Sequence, residues 1–340
     1  MHQGNRRAAW VLILLAPVVA ELGLGVTRPT LAFLVLLWLP IYGAGILLVR
    51  ETARRAGRGW PSIVVLGLAY ELVEDGIGLQ ALTSPHIYGA AEWGPRVLGL
   101  NLPYWEANAI YHILFSAVIP IVLTDLLFPA HRDRPYLKKG GLAVTAAVWV
   151  VGVAILRVTV PPTMDPGYDA PIPVLVGVVV AVAALAFLAL RVLPPRQPDT
   201  VDARAVPPPW TLWPVGALGT ALLLFLSFPL HGSGTAGPAF TGGRYTLIPM
   251  AAALLVALAG YVLVRRWSGA SSWTDRHSLA LVGGALPAHT AMGVLVFRPM
   301  LNRFDVVALA AMAVASVILA LVLDAKLRRR TVPAVDAALR

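Results

Sequence analysis

Apolar runs of about 20 residues recur from one end of this chain to the other, and each is long enough to cross the ~30 Å hydrocarbon core of a bilayer as a helix. Ten are predicted, near residues 9–27, 31–50, 61–82, 107–128, 141–160, 171–193, 211–230, 245–264, 278–297 and 304–325. With 58% hydrophobic and only 13% charged residues, the composition excludes an ordinary soluble domain. The expected class is all-α: a polytopic integral protein of the cell membrane with about ten transmembrane helices.

The net charge of +10 raises the question of nucleic acid, and the placement of the basic residues answers it. With the N-terminus inside, 21 of the 27 Lys and Arg residues fall in inner segments: Arg6 and Arg7, then 50–60, 129–140, 191–210, 265–277 and 326–340. Only Arg28, Arg96, Arg157, Arg244, Arg298 and Arg303 fall outside. This bias predicts cytoplasmic N- and C-termini and a lipid bilayer with anionic inner-leaflet headgroups as partner, and it argues against nucleic acid. The chain has no cysteine, so disulfides and thiolate chemistry are excluded. Arg6-Arg7 followed by Trp10 to Ala20 resembles a signal peptide, but the apolar run continues through Val26, and an uncleaved first helix is the simpler expectation.

Composition divides the chain into a four-helix region carrying the polar residues (1–128), two further helices (129–193), a proline-rich cytoplasmic linker (194–210), a four-helix scaffold (211–325) and a basic tail (326–340). The connection from Ser84 to Glu106 holds His86, Tyr88, Trp93, Tyr104 and Trp105, the make-up of an interfacial segment or lid. Inverted repeats would place matching breaks in both halves, and none match.

The candidate site is the run Glu71-Leu-Val-Glu74-Asp75, three carboxylates inside an apolar span. An ionisable group at that depth costs a few kcal/mol and ordinarily faces a protein interior or an aqueous cavity. At helical spacing Gly67, Glu71, Glu74, Asp75 and Gly78 form one stripe, and desolvation with mutual repulsion predicts that at least one of these acids holds a proton near neutral pH. The next span carries Asn108, His112, Ser116, Pro120 and Thr124 at spacing four. From a rise of ~1.5 Å per residue, Glu74 and Asp75 lie about 5 Å outward of the midplane and His112 about 9 Å, with Glu21 of the first span at ~4–5 Å. Glu71, Glu74, Asp75 and His112 are therefore expected to carry proton relay or water activation, supported by Glu21, Asn108, Ser116 and His289. For His289 alone a helix-to-helix hydrogen bond is the favoured reading. Asp125 and Asp324 lie near inner ends, where snorkelling beside Arg or Lys accounts for them.

Two chemistries fit such a cluster. Carboxylates and a histidine near midplane are the usual parts of a proton relay, which favours a proton- or ion-coupled transporter of a small solute. The alternative is hydrolysis of a membrane peptide by a carboxylate-activated water with His112 as proton shuttle. Glu74-Asp75 followed by a histidine on the next helix resembles the glutamic intramembrane proteases of the CPBP or Abi type, which implies a base role for Glu74 and a histidine role for His112. Leu79 stands where that family has arginine, Asn108 replaces its phenylalanine, and His289 is followed by Gly293 rather than asparagine. A third reading is an accessory subunit whose acids pair with a partner helix. No cofactor is implied: Walker A and dinucleotide fingerprints are missing, Gly232-Ser233-Gly234 beside His231 lacks nucleophile-elbow spacing, and a metal at Glu71, Glu74 and His112 has no paired-ligand motif behind it.

Overall fold

In this computed structural model of the chain, residues 4–196, 205–230 and 237–331 are described. Residues 197–204 of the proline-rich linker, the His231-Gly-Ser-Gly segment and residues 332–340 of the basic tail lie outside them.

The described residues form ten successive helices. α1 (Arg6–Pro17) is N-capped by Asn5, whose side chain accepts the Ala8 N–H at 3.1 Å, and it runs on into a π turn, Val18–Leu22. α2 (Pro29–Arg55) opens on a proline, whose missing N–H needs no partner in a first turn, and holds a π turn at Leu39–Gly43. α3 (Trp60–Glu71) continues as a π segment, Leu72–Gly78, and α4 (Leu102–Leu127) is interrupted by another, His112–Val118. There follow α5 (Lys139–Met164), α6 (Ile172–Val192), α7 (Pro209–Ser227), α8 (Leu247–Ser268), α9 (Asp275–Phe297) and α10 (Arg303–Thr331). The only sheet among the described residues is a hairpin of β1 (Arg96–Val97) and β2 (Leu100–Asn101).

Eight helices, α2 and α4 to α10, are long and apolar enough to cross a membrane, fewer than the ten expected. The difference falls on α1, whose α and π parts cover 12 and 5 residues, and on α3, which carries Glu71, Glu74 and Asp75. α3 is enclosed by other helices, with Ile63, Tyr70 and Glu71 buried, while α1 buries one face, Ala8, Leu12 and Ala16, and exposes Trp10 and Leu14 on the other. A helix walled in by protein is released from the all-round apolar surface that lipid demands. At the periphery the balance reverses. The apolar windows of α6, α8 and α10 are only 11% buried, against 61% for α4 and α9, so the former present Val, Leu and Ile outward as lipid-facing surface.

Close backbone approach ties the later helices to the earlier ones. A Cβ on Gly284 would stand 1.9 Å from the Trp213 carbonyl oxygen of α7, and one on Gly293 would stand 1.9 Å from that of Leu24, just past α1. Small residues at such crossings are how membrane helices associate without a hydrophobic drive.

The Ser84–Glu106 stretch is folded into a cap. α4 already starts at Leu102 and takes up Tyr104, Trp105 and Glu106. Asn101 caps it, accepting the Tyr104 N–H and donating to the Ala90 carbonyl, while Trp93 and Tyr104 are buried. Ser84 anchors the cap to the end of α5 through Asp165, at 2.5 Å.

Candidate functional site

Five π segments occur among the described residues, and four of them carry the site. Val18–Leu22 holds Glu21, Leu39–Gly43 holds Tyr42, Leu72–Gly78 holds Glu74 and Asp75, and His112–Val118 holds His112 and Ser116. A π turn inserts one extra residue into the helical ladder, re-aims the side chains beside it and is found frequently at functional positions. It also overturns the predicted stripe on α3. A Cβ on Gly67 would meet Ala117 and Ile113 of α4, whereas one on Gly78 would meet Leu156 of α5. The two glycines face different neighbours because the wider turns between them rotate the register.

The structure brings Glu74, Asp75 and His112 together. The imidazole stands between the two acids, Nδ1 at 3.6 Å from Glu74 Oε2 and Nε2 at 4.0 Å from Asp75 Oδ2. Both separations exceed direct hydrogen-bond length. His112 Nδ1 instead shares a 2.9 Å hydrogen bond with Ser116 Oγ, one turn along the same helix. Asp75 Oδ1 accepts from the Tyr104 hydroxyl at 3.1 Å.

Glu21 joins from α1. Its Oε1 accepts from the Tyr42 hydroxyl at 2.6 Å and its Oε2 from Thr27 at 2.7 Å, and Thr27 in turn accepts from the Trp38 indole at 3.1 Å. Tyr42 and Tyr70 neighbour Glu74 as well, so Tyr42 lies between the Glu21 and Glu74 carboxylates. The rings of Tyr42 and Tyr70 each stand 6.0 Å from the His112 ring, with Tyr111 edge-on to it at 5.6 Å. Aromatic walls thus enclose the acids.

The other expected members take different places. Glu71 is fully buried beside Asp75 and Trp105, both of its carboxyl oxygens without a hydrogen bond, and it is not in contact with His112. Asn108 donates to its own helix at the Tyr104 carbonyl, at 2.9 Å. His289 stacks on Phe115 at 4.2 Å and shares a 3.0 Å hydrogen bond with the Tyr111 hydroxyl, which itself donates to the Ala20 carbonyl. It reaches the cluster only through Tyr111. No three His, Asp or Glu among the described residues are arranged to hold a metal ion.

Charge is what sets this site apart. Among the described residues, no Lys or Arg forms an ion pair with Glu21, Glu71, Glu74 or Asp75; His112 is the only basic group against them. Glu74 Oε2, Asp75 Oδ2 and the Tyr70 hydroxyl also lack hydrogen-bond partners.

A second buried cluster occupies the opposite end of α2 and α4. Arg50 is fully buried: its guanidinium donates to Asp125 Oδ1 at 2.9 and 3.2 Å and to the carbonyls of His131, Arg132 and Arg134, and it lies 3.4 Å over the Tyr136 ring. Tyr136 donates its hydroxyl to Asp125 at 2.8 Å, and Glu51 accepts the N–H groups of Tyr136 and Leu137 at 2.6 and 3.1 Å. Arg54 and Arg55 complete it through Asp125 and Glu51. Asp125 is therefore an inward ion-pair centre rather than a snorkelling acid, because α2 extends to Arg55 and delivers Arg50 and Arg54 to it. Part of the basic excess read as topology is structural for the same reason. Asp324 pairs with Arg276 at 2.7 Å and Arg328 at 2.8 Å.

Helices and site together define a polytopic membrane protein with an acid and histidine cluster sealed among its helices and its π turns. The chain belongs to an uncharacterized membrane protein family, whose model matches residues 10–338. No curated protein and no solved structure matches it. The match shows no glutamic intramembrane protease family, and the resemblance at Glu74 and His112 rests on the local residue pattern.

Proposed function

We propose that this protein is a proton-coupled transporter of a small solute in the cell membrane, with the Arg50 end and both termini on the cytoplasmic side. The observation that carries the reading is the set of four buried carboxylates, Glu21, Glu71, Glu74 and Asp75, opposed by one histidine and no Lys or Arg. Burying a charge without a partner costs several kcal/mol, and protonation removes that cost. Such groups exchange protons as their surroundings open and close, and Glu21, Tyr42, Glu74, His112 and Asp75 supply donors and acceptors in succession. The peripheral helices, bare of intramembrane acids, supply the scaffold.

One observation favours a second reading. Glu74 and His112, 3.6 Å apart, are placed as an acid and an imidazole would be to aim a water at a bond. One experiment separates the two. Vesicles containing the protein, a trapped pH dye and an imposed pH gradient are given a pool of amino acids, sugars, amines and carboxylic acids. Solute-dependent proton movement is expected, and Glu74→Gln, Asp75→Asn and His112→Ala should reduce it by about 10²-fold, the scale of losing a positioned proton-transfer group. Cleavage of a membrane peptide in detergent, with no gradient and no proton movement in vesicles, would replace transport by hydrolysis.

A further inference from the structure

The oxygens left without donors are as informative as those that have them. Glu74 Oε2, Asp75 Oδ2 and both oxygens of Glu71 accept no hydrogen bond, although Glu71, Glu74 and Asp75 are all at least 98% buried. Buried polar groups in folded proteins nearly always find partners, and each unsatisfied one calls for an explanation. A shortage of donors confined to one site points to a ligand that brings them.

Two independent features narrow its chemistry. The first is the Tyr70 hydroxyl, buried, without a hydrogen-bond partner, and a neighbour of Glu74 on a side chain whose ring walls the site. It can act as an acceptor as well as a donor. The second is the wall itself: Tyr42, Tyr70 and Tyr111 stand around His112 with ring centroids 5.6–6.0 Å from it. Aromatic faces attract a desolvated cation. A carboxylate-rich, ring-lined, donor-poor site suits a cation that carries several N–H groups of its own. An anion would be repelled by any of the four acids that ionises, and a neutral solute brings no charge to exchange for their protons.

From this geometry we infer that the transported solute is a compact protonated amine, ammonium or a small primary alkylammonium, held beside the Glu74, His112 and Asp75 group against Tyr42 and Tyr70 and exchanged for protons. The inference rests on the transport reading and names its substrate class. An alkylammonium –NH3+ has three N–H donors, which match Glu74 Oε2, Asp75 Oδ2 and the Tyr70 oxygen. Its arrival displaces a proton from the carboxylates, so the site never holds its full negative charge alone. Glu21, already bonded to Tyr42 and Thr27, stays outside the amine and serves as the adjoining proton acceptor.

The test uses the purified full-length protein in detergent, titrated with methylammonium chloride, ammonium chloride and sodium chloride at constant ionic strength, with heat and released protons both recorded. Saturable methylammonium or ammonium binding accompanied by proton release is expected, with sodium inert. Glu74→Gln and Asp75→Asn should each weaken binding by about tenfold or more, as expected for one lost hydrogen bond to a charged group, and Tyr70→Phe by less. Should a variant fail to fold, the wild-type proton count still decides. Binding of sodium in place of the amines, or amine binding without proton release, overturns the inference. If vesicles show solute-dependent proton movement while no amine binds, the amine assignment falls and the transport reading stands; if neither is seen, both fall.

Discussion

The two buried clusters share α2 and α4, about 12 Å apart along α2 and about 20 Å along α4 from the rise per residue, yet they are composed in opposite ways. At the Arg50 end three guanidiniums, of Arg50, Arg54 and Arg55, meet the carboxylates of Glu51 and Asp125, and backbone carbonyls and N–H groups of the α4–α5 connection complete the set. At the Glu74 end four carboxylates meet one imidazole, and several polar atoms have no partner. The first arrangement is a fastening, with most of its polar atoms engaged. The second is held in place by everything around it and satisfied by little of it, which is how a site waiting for a proton or a ligand is built.

The largest expected effect is at the fastened end. Arg50→Met takes from Asp125 its closest cation, leaving it Tyr136 and the longer Arg54 pair, strips three carbonyls of their donor, and should destabilise the protein by about 3–5 kcal/mol in thermal or chaotrope unfolding. A tolerated single substitution would erase the contrast between the clusters. At the other end the sign reverses: Glu71→Met removes two unsatisfied oxygens and should stabilise the protein by about 1–3 kcal/mol in the same assay. Destabilisation there would mean that Glu71 has a partner. The smallest effect belongs to the exposed Arg328, which pairs with the half-buried Asp324: Arg328→Ala should change stability by no more than about 0.5 kcal/mol and marks the baseline for a surface side chain.

Much of this was legible in the sequence, for identifiable reasons. Apolar runs announce membrane helices because lipid leaves the backbone little choice, and Glu71, Glu74, Asp75 and His112 stand out because each interrupts such a run. Tyr42 and Tyr70 escaped notice since a tyrosine in an apolar helix reads as packing, and Tyr104 reads as part of an interfacial segment; the hydroxyls of Tyr42 and Tyr104, each bonded to an acid of the preceding helix, reveal the wall of the site. Arg50 was hidden by its position, at the expected end of a span where basic residues report topology. The π turns have no composition of their own, and a reading at 3.6 residues per turn places Gly67 and Gly78 on one face when they meet different helices. The carboxylates of α3 are tolerated because a helix surrounded by protein does not have to resemble one surrounded by lipid.

The π turns also have a mechanical consequence. Each is one surplus residue wound into a helix, and one residue of α-helix corresponds to about 100° of rotation and ~1.5 Å of travel. In α2 and α4 the side chains on one side of the surplus residue are therefore offset, as on a screw thread, from where an unbroken helix would aim them. Tyr42 and His112 sit on those threads, and Arg50 and Asp125 lie beyond them at the anchored end. The angles at which the acids and tyrosines meet are thus set by where each surplus residue sits, while the Arg50 end keeps its own fastening.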